Sequence, residues 1–126
     1  MHKSRLAGIV IDCKTDDFER DIAFWGEALG CDVKRTHDPD DQSYAELETP
    51  HDQIKVLLQE VDHPSRVHLD IETDDLEAEV RRLEKLGAKR LAHIKRWWVM
   101  EAPSGHRFCV VQPQRADFGS KAKDWA

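Results

Sequence analysis

The sequence predicts an α+β fold made of two βαβββ modules in tandem, and three observations carry that prediction. The stretch RVHLDIETDDLEAEVRRLEKLGA at positions 66–88 has a fainter version, GIVIDCKTDDFERDIAFWGEALGC, at positions 8–31. Each copy reads as a strand, a capped helix and a glycine stop. Each is then followed by three short runs with the composition of strands.

The elements follow in order. Asp12 and Asp70, Thr15 and Thr73, Asp16 and Asp74, Asp17 and Asp75, and Glu19 and Glu77 all stand 58 positions apart, whereas Gly30 and Gly87 stand 57 apart. One supersecondary unit has therefore been used twice, with one residue lost near the end of the second helix. Ile9, Ile11 and Cys13 alternate with Val10 and Asp12, and Val67, Leu69 and Ile71 alternate with His68 and Asp70. That is the period of a strand with two different faces. Asp16 with Glu19, and Asp74 with Glu77, have the spacing of a capping box. Phe18, Ile22, Trp25 and Leu29 make one helical stripe, and Leu76, Val80, Leu83 and Leu86 make the other. Gly30 and Gly87 stand where a left-handed cap is wanted. The strand-like runs CDVKR, SYAELET and IKVLLQEV follow the first helix, and AKRLAHI, RWWVME and HRFCVVQ follow the second. HDPDDQ, TPHDQ and APSGH are the turn signals between them. The whole of 1–126 reads as one domain of two modules, about 5–61 and 65–113, with an irregular or short helical extension at 114–126 that could pack at an interface through Phe118 or Trp125.

Composition excludes several functions. With 40% apolar and 35% charged residues and no apolar run of spanning length, no membrane partner is expected. The formal net charge of −6, with lysine and arginine interspersed among acids, argues against nucleic acid. Three cysteines and an N-terminal MHKSRLAG without an apolar leader lead to an expected cytoplasmic location. There is no nucleophile elbow, phosphate-cradling glycine loop, Cys-x-x-Cys or His-x-x-x-His, and His2, His37, His51, His63, His93 and His106 fall mostly in turns or near the termini.

The paired modules, FWGEALG, HLDIETDDLEAEVRRLEKLGA and VMEAPSGHRFCVV together resemble the vicinal oxygen chelate superfamily over about residues 5–113. That group includes glyoxalase I, bleomycin-resistance proteins and extradiol dioxygenases, and the likeness is to its glyoxalase-like members. The resemblance implies a curved mixed sheet forming a trough, with a metal held by one residue from the first and last strand of each half. Those positions would be Val10, Val56, His68 and Cys109, with Val56 obtained by matching Gln59 to Gln112. Two valines donate nothing to an ion, so no metal and no cofactor is expected. The last turn departs from the family pattern, reading Ala102, Pro103, Ser104, Gly105, His106.

On this reading the trough has an apolar floor with one imidazole, suited to a small, largely apolar or aromatic molecule. Its candidate ligand contacts are Val10, Tyr44, Val56, Leu58, His68, Trp98 and Cys109, with Glu46 on the face of Tyr44. Trp97 and Trp98 lie on opposite faces of one strand, and alternation alone does not assign them. Cys109 reads as a small buried hydrophobe, because no fixed cation stands beside it. Asp70 is two residues from His68 on the same face, at a spacing of about 6–7 Å that disfavours a direct bond. Two alternatives accompany the binding role. One is a metal-independent isomerase or lyase with His68 as general base, and the other is an interaction module with a vestigial trough. A homodimer is expected, because the open sheet edges of such modules need covering.

Overall fold

A computed structural model describes residues 1–35 and 42–126 of the chain. The turn signal HDPDDQ and His37 lie outside the described residues, except for Gln42. The elements run β1 (His2–Cys13), α1 (Phe18–Leu29), β2 (Val33–Arg35), β3 (Tyr44–Leu47), β4 (Lys55–Glu60), β5 (Arg66–Thr73), α2 (Leu76–Lys85), β6 (Lys89–Ile94), β7 (Trp97–Glu101), β8 (Arg107–Val111), α3 (Phe118–Lys121) and β9 (Lys123–Trp125). The chain divides into two compact units, Gly8–Val67 and Met1–Ala7 with His68–Ala126. Among the described residues no helix is long and apolar enough to cross a membrane.

In the unit Gly8–Val67 the strand order is β2-β3-β4-β1, with β1 parallel to β4 and the other pairs antiparallel. Helix α1 starts one residue later than the capping-box spacing suggests. Asp17, and not Asp16, accepts from the Arg20 amide at 3.1 Å. Its stop at Gly30 is as expected, with φ 67° in the left-handed region. Phe18 and Ile22 bury against Ala45, Leu47, Val56 and Leu58, with Ile9, Ile11 and Trp25 at the margin. Leu29, expected in the stripe, is exposed. At Gly8 the β1 backbone passes so close to β4 that a Cβ would run into the Lys55 carbonyl, so no other residue fits there.

The other unit repeats the plan as β5-β8-β7-β6, with β5 parallel to β8. Asp75 caps α2 by accepting from the Ala78 amide at 3.1 Å, while Asp74 instead accepts from the Lys3 amide at 2.8 Å. Val80 and Leu83 pack on Met100 and Val110, with Ile71, Leu76, Trp98 and Phe108 around them. The extension that the sequence leaves irregular is ordered within this unit. It forms α3 and then β9, which pairs antiparallel with the start of β1, His2 opposite Trp125. Phe118 is buried, and the Trp125 indole donates to Ser4 Oγ at 2.8 Å.

Candidate functional site

Strand register decides which side chains face away from the helices. In the unit Gly8–Val67, Ile9 pairs with Val56 and Ile11 with Leu58, so Val56 and Leu58 lie on the α1 side in the core. The sequence-based placement of these two residues on the floor with Val10 is corrected: Val10 pairs with Leu57 and Asp12 with Gln59. Because Asp70 pairs with Cys109 just as Asp12 pairs with Gln59, the counterpart of Cys109 is Gln59 and not Val56. Matching the two terminal glutamines misplaced it.

The open face of this unit is consequently more polar than expected. Tyr44 and Glu46 lie on it, as their pairing with Gln59 and Leu57 requires. Gln59 Nε2 donates to the Tyr44 hydroxyl at 2.9 Å, and Lys55 Nζ stands 3.3 Å from Glu46. Asp12 is buried, with Arg66 Nε at 3.8 Å and His63 Nε2 at 4.0 Å from its Oδ2. Val10 is only 3% exposed, which is the burial of a packed residue and not of an open wall. Val10→Phe is therefore expected to cost about 1–3 kcal/mol through overpacking, read as a lower denaturation midpoint at unchanged slope.

In the other unit Leu69 pairs with Phe108 and Ile71 with Val110, which sets His68, Asp70, Glu72, Cys109 and Val111 on the face away from α2. Trp98 pairs with Val110 and packs on the α2 core, with His93 stacked on it at 4.6 Å and the Arg90 guanidinium 5.0 Å from its centroid. Its expected place in the ligand site is corrected; by alternation Trp97, with Val99, takes the open face.

Three of the open-face groups converge. His68 Nε2 lies 3.5 Å from Asp70 Oδ1, closer than the strand spacing of about 6–7 Å suggests. A donor atom from each of His68, Asp70 and Cys109 lies within 4.8 Å of the others. Cys109 and Asp70 are each 9% exposed, and among the described residues Asp70 Oδ1 is buried without a hydrogen bond. Glu72, on the same face, shows the contrast. It is fully buried, but Arg5 Nε at 2.8 Å and the amides of Gln114 at 2.6 Å and Arg115 at 3.1 Å satisfy it. Sequence reasoning considered Asp70 only as a support for His68, and its pairing with Cys109 across β5 and β8 had no sequence signal.

A family model described as a glyoxalase-like domain matches residues 8–111. The chain belongs to that family. Its fold is accordingly the α+β fold of the vicinal oxygen chelate superfamily. No curated protein matches it. Among solved structures it is similar to methylmalonyl-CoA epimerase from Mycobacterium tuberculosis, at 18% identity over 87% of this chain and 88% of that one, with a TM-score of 0.64. It is also similar to a variant of the Streptomyces coelicolor methylmalonyl-CoA epimerase in complex with 2-nitronate-propionyl-CoA, at 17% over 88% and 98%, TM-score 0.61. A glyoxalase/bleomycin resistance protein/dioxygenase superfamily member from Vibrio splendidus matches at 20% over 87% and 99%, TM-score 0.55. Of the four-residue metal shell that the superfamily implies for this glyoxalase-like chain, Val10 has no donor atom, and the register places Gln59 opposite Cys109 in the repeat, its amide already donating to the Tyr44 hydroxyl.

Proposed function

We propose that this glyoxalase-like protein binds a small organic molecule on the open face that carries His68, and that the molecule has a polar group as well as an apolar body. The observation that supports this most is the buried Asp70 Oδ1 without a hydrogen bond beside His68, since buried polar atoms are rarely left unsatisfied without a ligand or ion to complete them. Val99, Val111 and Trp97 share that face and offer apolar contact. Small-molecule complexes on the same fold, such as that with 2-nitronate-propionyl-CoA, agree with the reading. The test is mass spectrometry of what co-purifies with the native chain, followed by thermal-shift screening of aromatic and acyl compounds. A ligand should bind, and His68→Ala should weaken it by about 1–2 kcal/mol. No co-purifying compound and no shift across the panel would favour the interaction-module reading.

A second reading, a metal-independent isomerase or lyase with His68 as general base, is favoured by the Asp70 carboxylate 3.5 Å from the imidazole, where it would steady the protonated ring. Isomerisation is also the reaction class named for the epimerases of similar fold. Here His68→Ala would abolish turnover and spare binding.

We also propose a homodimer in the cytoplasm. Val67 and Leu69 are 57% and 47% exposed on one face of β5, an apolar pair that a second copy would cover. Light scattering should give twice the 14.6 kDa chain mass at micromolar concentration; the chain mass itself would refute the dimer. Cys13, Cys31 and Cys109 are all free thiols, as a reducing compartment keeps them.

A further inference from the structure

We propose that the free edge of β6 is a docking site for a short extended segment of a partner protein, rich in aspartate and glutamate, which adds to the sheet as a further strand. It goes beyond the ligand-binding reading and does not depend on it, since β6 and β7 lie in one unit and the contact uses no other part of the chain.

The backbone is the first argument. β6 ends the strand order of its unit, paired with β7 on one side and, among the described residues, with no strand on the other. Alternate residues of such a strand turn their amides and carbonyls outward, and another strand satisfies that row best. Proteins often blunt an edge by keeping it short, and the end strand of the other unit, β2, has only three residues. β6 has six, and all but Arg90 are exposed. Leu91 and Ile94, 40% and 43% exposed, give an added strand apolar side chains to pack on.

Charge chooses the partner. From Ala88 to Met100 the chain carries Lys89, Arg90, Lys95 and Arg96 and no acid, although its formal net charge is −6. Arg90 is held within the unit by Glu77 and Glu84. Lys89 and Arg96, toward the two ends of the edge, are exposed and have no ion pair among the described residues. The tip adds a further cation. Ile94 pairs with Trp97, so Lys95 and Arg96 form a two-residue turn of the kind that favours asparagine or glycine, and yet Lys95 takes the left-handed φ of 51°. Backbone strain is thus tolerated where it holds a cation at the end of the edge.

A second copy of this chain is a poor occupant. Two β6 edges side by side, in either direction, would set Lys89, Lys95 and Arg96 of one against the same cations of the other, and like charges on neighbouring strands repel. Nucleic acid or anionic lipid would meet the cations but leave the row of amides without a strand partner. The bulge between Arg90 and Ala92 interrupts the regular ladder, so an incoming strand has its best pairing along Ala92–Ile94, next to the tip. Its carboxylates would then meet Lys95 and Arg96 at one end and Lys89 at the other, with Leu91 and Ile94 between them.

The probe is a synthetic, end-capped peptide of about seven residues alternating glutamate with valine. Fluorescence anisotropy of the labelled peptide should show saturable binding that weakens as salt rises, and amide hydrogen exchange read by mass spectrometry should show protection confined to β6 and its turn. A peptide with lysine in place of glutamate should bind at least about tenfold more weakly. So should the glutamate peptide methylated on consecutive backbone nitrogens, which removes the ladder and keeps the charge. The double variant Lys89→Glu with Arg96→Glu, changed only at exposed side chains, should lose about tenfold in affinity with an unchanged circular dichroism spectrum. No binding of the glutamate peptide, protection elsewhere than β6, or undiminished binding of the methylated peptide would overturn the proposal, the last by reducing the contact to charge alone. If the double variant does not fold, the three peptides decide with the wild-type chain. None of these outcomes depends on an organic ligand at His68.

Discussion

Replacing Glu79 with alanine is expected to destabilise the protein by about 3–5 kcal/mol, the cost of removing one member of a buried charged network. Glu79 is fully buried on α2. Its carboxylate accepts from Arg82 Nε and Nη2 at 2.8 Å each and lies 2.8 Å from His2 Nε2. Arg82 in turn lies over the Trp125 ring at 3.9 Å, so one carboxylate ties α2 to the start of β1 and to β9. Burial pushes the Glu79 carboxyl up, but bonds from Arg82, His2 and Ser4 outweigh it and hold the group below its ordinary value of 4.5. A folded-state value lower than the unfolded one means that this stabilisation is complete above the unfolded value and disappears as the pH falls through the folded one. Urea denaturation should therefore show the wild-type advantage over Glu79→Ala at neutral pH and its shrinkage in the range below 4.5. An equal gap at all pH values would mean that the loss is one of packing alone.

Leu58→Ala is expected to cost about 2–5 kcal/mol while leaving any ligand affinity unchanged. Leu58 is fully buried among Phe18, Ile22, Ala45, Leu47 and Val56, and shortening it leaves a cavity under α1. Had it lined an open site, the same change would have altered binding and spared folding. Parallel urea and binding measurements on one variant therefore test the corrected register directly.

The repeat, the helices and the glycine stop at Gly30 were legible because each is a local pattern: alternation in β1 and β5, a 3.6-residue stripe in α1 and α2. The caps were legible to within one residue, since adjacent aspartates at 16 and 17, and at 74 and 75, compete for the same role, and only the backbone shows that Asp17 and Asp75 take it. In the run KVLLQE, Leu57 and Leu58 are adjacent, so hydrophobicity alone fits either parity, and the glutamine match selected the wrong one. Gln59 held the cue, because a half-buried amide belongs on the polar face with Tyr44. Trp97 and Trp98 posed the same ambiguity, decided by the pairing of Trp98 with Val110. The His68–Asp70–Cys109 group was half legible. All three members were named, His68 and Cys109 as trough contacts and Asp70 as a neighbour of His68, but the meeting of Asp70 with Cys109 rests on a pairing between strands 39 residues apart in sequence, which nothing local records.

The division of β1 bears on how the chain can be made. Its residues after Ala7 belong to a unit that is continuous in sequence, whereas its first six, His2 to Ala7, belong to one completed by His68–Ala126. A ribosome emits the chain from its N-terminus, and domains tend to fold as they emerge. The unit Gly8–Val67 has all its residues available early, while His2 waits for Trp125, nearly the whole length of the chain, before its strand partner exists. The loop that this pairing closes is among the longest the chain allows, so its entropic cost is the greatest and its formation belongs late in folding. Strand β9, made late, would then lock the start of β1 in place.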